Sequence, residues 1–230
     1  VFIACNKESA TVSPTPTPTP TTVDPVAAVL NLPASPFNYA NIVQPAYLNS
    51  PNIIGQINTP ANNPITDNGA TLGRVLFYDK NLSINNTIAC ASCHKPASGF
   101  SDPLVKSTGF NGGLTGRNSM SLIDAKYYPN GRFFWDQRAA TLEDQVLAPI
   151  QDLVEMGMTL PALETKLKAL AYYPPLFQRA FGDSLVTSTR IASALSQFVR
   201  SIVSFRSKYG AGRGSFPPVP APPPNAIFPN

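Results

Sequence analysis

Cys90-Ala91-Ser92-Cys93-His94 places two thiols one helical turn apart, with an imidazole directly after the second. This C-x-x-C-H pattern is the attachment signature of c-type haem. The spacing suits the chemistry. Two thiols on one turn can each add to a vinyl group of one porphyrin, and the next residue brings a ring nitrogen beneath the iron as proximal ligand. A zinc site takes about four ligands, and only Cys90, Cys93 and His94 stand together here. A thioredoxin-type redox pair belongs to a βαβ pattern, which the flanking sequence lacks. The 230 residues contain 3 Cys and 1 His, so this pentapeptide takes nearly the whole inventory. A single histidine excludes a bis-histidine haem within the chain. The sixth iron position is either open, giving a peroxide site, or filled by Met120, Met156 or Met158, giving an electron carrier.

Outward from the motif, the apolar pattern is helical. Asn68 to Tyr78 reads as a helix, with Leu72, Val75 and Leu76 on one face. Thr141 opens another, with Asp144 three residues on in the manner of a capping box; Val146 and Leu147 fall on its buried side, and Pro149 should end or kink it. Pro161 to Tyr172 keeps Leu163, Leu167 and Leu170 in register. Ser188 to Phe205 carries an unbroken stripe of Ile191, Ala194, Leu195, Phe198, Val199, Ile202 and Val203. No alternating strand pattern of useful length occurs. Long Gly/Asn/Ser-rich connections, notably residues 98–118, separate the helices, and loops of that length are often functional. The expected fold class is mainly α: a cytochrome c-like haem domain with long irregular loops and few or no strands.

Composition divides the chain. Residues 1–36 and 211–230 hold seven prolines each, out of 25. Ser13 to Thr22 is a proline-threonine repeat that suits an extended, semi-rigid spacer. The middle, 37–210, is long enough to bury a core and reads as the haem domain. Val1-Phe2-Ile3-Ala4-Cys5 resembles the end of a bacterial lipoprotein signal, with Cys5 as the lipidated residue; the alternative is a stray cysteine in a frayed terminus. The Pro-rich stretch 211–230 reads as a linker rather than packed core. No stretch approaches the ~18 apolar residues of a membrane span. Net charge is +4, charged residues are 13% of the chain, and no Lys/Arg run marks a nucleic-acid surface. Haem c is attached outside the bacterial cytoplasm, so the expected location is the periplasm or cell envelope, with a lipid anchor.

Ordered blocks from Gly69 to Tyr209 resemble the bacterial dihaem cytochrome c peroxidases and their MauG-type relatives. They include Leu72-Gly73-Arg74-Val75-Leu76-Phe77-Tyr78-Asp79, Gly99-Phe100-Ser101-Asp102, Gly116-Arg117-Asn118, Phe134-Trp135-Asp136-Gln137-Arg138-Ala139, Leu142-Glu143-Asp144-Gln145, Glu155-Met156 and Phe198-Val199-Arg200. The resemblance implies the N-terminal, peroxidatic haem domain, reducing hydrogen peroxide to water with electrons from a small cytochrome c or cupredoxin. It implies Glu155 as the acid/base carboxylate, Gln145 and Pro149 beside it over the haem, and Trp135 as an electron relay. It also implies Asn118 as a calcium ligand and Arg138 as a propionate or structural partner. Glu155 could otherwise be a solvated surface residue, and Trp135 an ordinary core aromatic. The resemblance also implies a second haem in a further domain, with 211–230 as the Pro-rich interdomain linker truncated before it, the alternative being a single-haem derivative; a homodimer and an alternative role as an oxidase of a protein side chain follow from the family as well. Gln137 departs from the family, standing where glycine is usual. No second histidine is present to cap the iron.

Overall fold

A computed structural model describes residues 24–205 together with Lys208 and Gly212. Cys5, the proline-threonine repeat and the Pro-rich stretch after residue 212 lie outside the described residues. Among those described are eight α-helices: α1 (Pro25–Val29), α2 (Pro51–Ile54), α3 (Asp67–Tyr78), α4 (Cys90–Cys93), α5 (Leu142–Gln151), α6 (Leu160–Ala169), α7 (Tyr173–Phe181) and α8 (Ser188–Ser201). No strand forms among them. Three isolated antiparallel bridges, Lys95–Ser101, Thr108–Leu114 and Phe133–Ala139, pin the loops instead. No helix among the described residues is long and apolar enough to cross a membrane. The mainly helical fold with long loops is therefore as the sequence predicts.

The long helices begin at threonine caps. Thr66 accepts from Gly69 N at 3.0 Å, Thr141 from Asp144 N at 3.1 Å and Thr187 from Arg190 N at 3.3 Å. Each satisfies a first-turn N–H that has no partner within the helix. The core is centred on α3 against α8. Leu72 and Leu76 of α3 meet Ile191, Leu195 and Phe198 of α8 in one apolar cluster, and the Phe77 and Phe198 rings meet at a tilt with centroids 5.2 Å apart. Burying each such side chain contributes about 1.5–3 kcal/mol. Gly73 sets how near the helices come, because a Cβ there would lie 1.9 Å from the Ala194 carbonyl oxygen.

Boundaries differ from expectation in three places. The helix predicted over 161–172 ends at Ala169 as α6, and a further helix that the sequence reading missed, α7, starts at Tyr173 with Pro174 and Pro175 in its first turn. Proline is favoured there because those N–H groups lack helical partners. α8 stops at Ser201 rather than Phe205. α5 does not end at Pro149; it runs on to Gln151. Proline deletes only the bond to the Gln145 carbonyl, and Asp152 N still reaches Ala148 O at 3.0 Å. α1 falls within the stretch read as linker, yet its Val26 is buried in the core and Arg179 of α7 pairs with Asp24 at 2.8 Å.

A buried polar tie joins α5 to α8. Arg200 is 2% exposed; its guanidinium grips Glu143 through both Nη atoms, at 2.6 and 2.9 Å, and its Nε donates to Asn58 at 3.1 Å. Asn63 also donates to Glu143, at 2.7 Å, and accepts from Gln197 at 2.8 Å. This network holds the start of α5, and so the turn bearing Gln145, against the core.

Candidate functional site

α4 is a single turn, closed by Ala89 N donating to Ser92 Oγ at 3.0 Å. It holds Cys90 and Cys93 as free thiols. Burial pushes the Cys90 thiol up to about 12. Burial also raises Cys93, against a lowering hydrogen bond from Ser107. A reactive redox pair needs lowered thiol pKa values, so these cysteines do not suit one. His94 follows as the cap of the turn. Gly99 and Phe100 both have left-handed backbone, φ +66° and +55°, which turns the Phe100 carbonyl back to His94 Nδ1 at 2.9 Å. A carbonyl can only accept, so Nδ1 carries the proton and Nε2 keeps its lone pair, the tautomer a metal ligand needs. Burial lowers the His94 pKa, against the Phe100 and Met120 carbonyls, which favours neutral imidazole.

His94 opens onto a cavity of about 580 Å³, within the roughly 300–1,000 Å³ range of cofactor sites. Gln145, Pro149, Glu155, Trp135, Asn118 and Arg138 line the same cavity, so the fold gathers residues spread over more than sixty positions. Paired thiols, an Nε2 lone pair and a cavity of this size fit a covalently held haem.

Glu155 lies in a tight turn. The Asp152 side chain accepts from Val154 N at 2.8 Å and Glu155 N at 3.0 Å. Phe110 N donates to Glu155 O at 3.0 Å. The neighbouring loop comes so close that a Cβ on Gly109 would lie 1.7 Å from Val154 O. Met156 and Met158 are buried in the core, at 2% and 5% exposure, while Glu155 is half-buried and faces the cavity. Burial raises its pKa, the Asp152 charge adds to the rise, and Arg138 opposes it. Neither core methionine lines the cavity, so neither is placed as sixth ligand. Met120 does line it, and its backbone carbonyl is against the His94 ring.

Trp135 is not a core aromatic: it is 59% exposed at the cavity mouth, with Nε1 donating to Asn118 O at 2.9 Å. The Asn118 side chain donates to the Asp102 and Leu104 carbonyls at 3.2 and 2.7 Å. That leaves one amide oxygen for a cation, where calcium takes roughly six to eight, and no group of three or more His, Cys, Asp or Glu placed to hold a metal occurs among the described residues. Arg138 pairs with Asp136 at 2.9 Å and stacks 3.6 Å over Phe134. Gln137 has φ +56°, the left-handed region that favours glycine, which explains physically why glycine is usual at that position. Asp152 and Arg132, which share the cavity wall, escaped the sequence reading; neither belongs to a recognisable motif.

The family model described as di-haem cytochrome c peroxidase matches residues 67–212. The chain is 36% identical over 148 residues to the methylamine utilization protein MauG of Methylophilus methylotrophus, covering 64% of this chain and 44% of that protein. It is 33% identical over 140 residues to the cytochrome c551 peroxidase of Nitrosomonas europaea, covering 61% and 41%. Among solved structures it resembles a MauG-like protein associated with microbial copper homeostasis, with TM-score 0.63, 33% identity, and 70% and 48% of the two chains covered. It also resembles the diheme peroxidase BthA of Burkholderia thailandensis, with TM-score 0.59, 26% identity, and 70% and 45% covered. The chain spans under half the length of each of these four proteins.

Proposed function

The chain belongs to the di-haem cytochrome c peroxidase family, and from that premise we propose that residues 37–210 are a c-type haem domain that reduces hydrogen peroxide to water with electrons from a small redox protein. The observation that carries the reading is the placing of Glu155 and Gln145 on the same cavity as His94. Cys90 and Cys93 would tether the haem and His94 Nε2 would hold its iron. When bound, haem c supplies the iron that takes up peroxide and exchanges electrons.

The chain's own residues supply the rest. A Glu155 carboxylate oxygen takes the proton from one peroxide oxygen and delivers it to the other, which leaves as water. Its raised pKa keeps the carboxyl poised nearer neutrality for both halves of that transfer. The Gln145 amide orients the peroxide. Trp135, exposed at the mouth, is the side chain on which incoming electrons arrive. The reading needs an open iron position, and the burial of Met156 and Met158 in the core supports that. Export to the periplasm or cell envelope, a lipid on Cys5, a second haem outside residues 37–210, calcium near Asn118 and a homodimer remain part of the proposal.

The decisive experiment is an EPR spectrum of the ferric holoprotein, followed by peroxide consumption with a reduced cytochrome or cupredoxin. A high-spin signal with turnover is expected. A low-spin His–Met signal without peroxide reactivity would overturn the proposal in favour of an electron carrier. The exposed Trp135 favours one second reading, an oxidase of a protein side chain; peroxide-dependent oxidation of a protein without turnover of the small donor would select it.

A further inference from the structure

On the core side of α4 lies a cluster that peroxide chemistry in the cavity does not use. Tyr172 and Tyr173 stack with ring centroids 4.7 Å apart and planes 37° from parallel. Both phenols donate to one oxygen of Asp79, Tyr172 at 2.8 Å and Tyr173 at 2.7 Å. The other Asp79 oxygen is held by Asn81, through its backbone N and its side-chain amide, each at 2.8 Å. Tyr173 is fully buried and Tyr172 is 8% exposed. Cys90 packs against the apolar cluster that contains both rings, so the pair neighbours the haem tether, with Tyr173 its more buried member.

We propose that Tyr173 and Tyr172, sharing the Asp79 carboxylate, form a hole sink: when peroxide has withdrawn an electron from the haem site and the donor is late, the pair yields one. The inference rests on the peroxide-reducing reading above. The step balances as one electron and one proton. The Tyr173 O–H bond breaks, its electron passes toward the iron centre to replace one withdrawn by peroxide, and its proton moves to Asp79 Oδ2. The phenoxyl passes to Tyr172 by the same exchange, and one electron from a small redox-protein donor restores it there as Asp79 Oδ2 gives the proton back.

The geometry suits this role. Burial, together with the Asp79 charge, pushes both phenol pKa values up, so both rings hold their protons at neutral pH. A buried neutral phenol gives up an electron readily only if its proton leaves too, because an unpaired charge in an apolar interior is costly. Asp79 Oδ2, 2.7 Å from the Tyr173 oxygen, is placed to receive it. A purely structural tie would need the hydrogen bonds but would never show a radical.

The test uses the holoprotein of this chain, mixed with hydrogen peroxide without donor and freeze-quenched for EPR. A radical that narrows when the chain is built with ring-deuterated tyrosine is expected. Spin trapping with peptide mapping should place it on Tyr172 or Tyr173, with no substitution required. The Tyr172→Phe/Tyr173→Phe double variant keeps the rings and should lose the signal. Asp79→Asn keeps the phenols and should lower the radical yield. A second arm generates the hole with a photo-oxidised ruthenium complex, independently of peroxide. If peroxide is not consumed, the peroxidase reading fails and the ruthenium arm alone judges the tyrosines. No tyrosyl radical in either arm, or trapping only at other residues, overturns the inference.

Discussion

Glu143→Ala should unfold this domain far more easily than its half-buried position at the start of α5 suggests. The carboxylate receives two guanidinium N–H groups of Arg200, at 2.6 and 2.9 Å, and one amide N–H of Asn63, at 2.7 Å. Truncation leaves the Arg200 side chain 2% exposed, with Asn58 as its remaining hydrogen-bond partner. Breaking a buried pair from one side costs ~3–5 kcal/mol. The Glu143 side chain is 22% exposed, so water can enter the vacated space, and the expected loss is about 3 kcal/mol, the low end of that range. Set against a total of roughly 5–15 kcal/mol, this is a large fraction. Tm should fall by roughly 6–12 °C for a domain of this size.

Guanidinium unfolding of the holoprotein, followed by circular dichroism, measures the loss directly. The double variant Glu143→Leu/Arg200→Met removes both charges and should sit within about 1.5 kcal/mol of the parent. Burial alone would raise the Glu143 pKa, but the Arg200 and Asn63 hydrogen bonds outweigh it and hold the carboxyl below its usual range. The stabilisation is therefore fully present above the ordinary carboxylate pKa and is lost as pH falls through the depressed folded value. The gap between parent and Glu143→Ala should close on acidification. A loss under ~1 kcal/mol, the worth of an exposed pair, or a double variant as damaged as the single, would refute the argument.

Other tests address the site. Glu155→Gln should lower peroxide turnover by about 10²–10⁴-fold while leaving the haem spectrum intact. The acidic limb of kcat/KM should lie above the ordinary glutamate range, since burial and Asp152 raise Glu155; Asp152→Asn should move that limb to lower pH and Arg138→Gln to higher, and a pH–rate profile reads both. Gly109→Ala forces a Cβ against Val154 O, so a loss of about 1–3 kcal/mol is expected in thermal unfolding, with lower turnover because the Glu155 turn shifts. Gln137→Gly removes left-handed strain of roughly 1 kcal/mol but forfeits the exposed hydrogen bonds to Tyr128 and Asn130; unfolding should show a net gain below that value.

Short-range signals in the sequence read well. Apolar registers locate α3, α5 and α8, and the Thr141 cap marks the start of α5, since helix starts and buried stripes depend on residues a few positions apart. The break between α6 and α7 was hidden by Leu170, which continues the apolar register past the helix end; Pro174 and Pro175 marked the true start. Pro149 read as a terminator because propensity counts the lost hydrogen bond but not the neighbouring bonds that keep the turn.

Cys90-Ala91-Ser92-Cys93-His94 by itself determines the covalent chemistry, because two thiols and a ring nitrogen within five residues need no distant partner to define a haem tether. The family blocks also singled out Glu155, Gln145 and Trp135, and all three line the cavity. Only tertiary structure decided how those residues stand. It buried Met156 and Met158 beside a half-buried Glu155, left Trp135 exposed at the mouth, and joined Asp79 to Tyr172 and Tyr173 across more than ninety positions. Exposure, proximity and shared carboxylates arise where separate segments pack, and no local pattern encodes that distance.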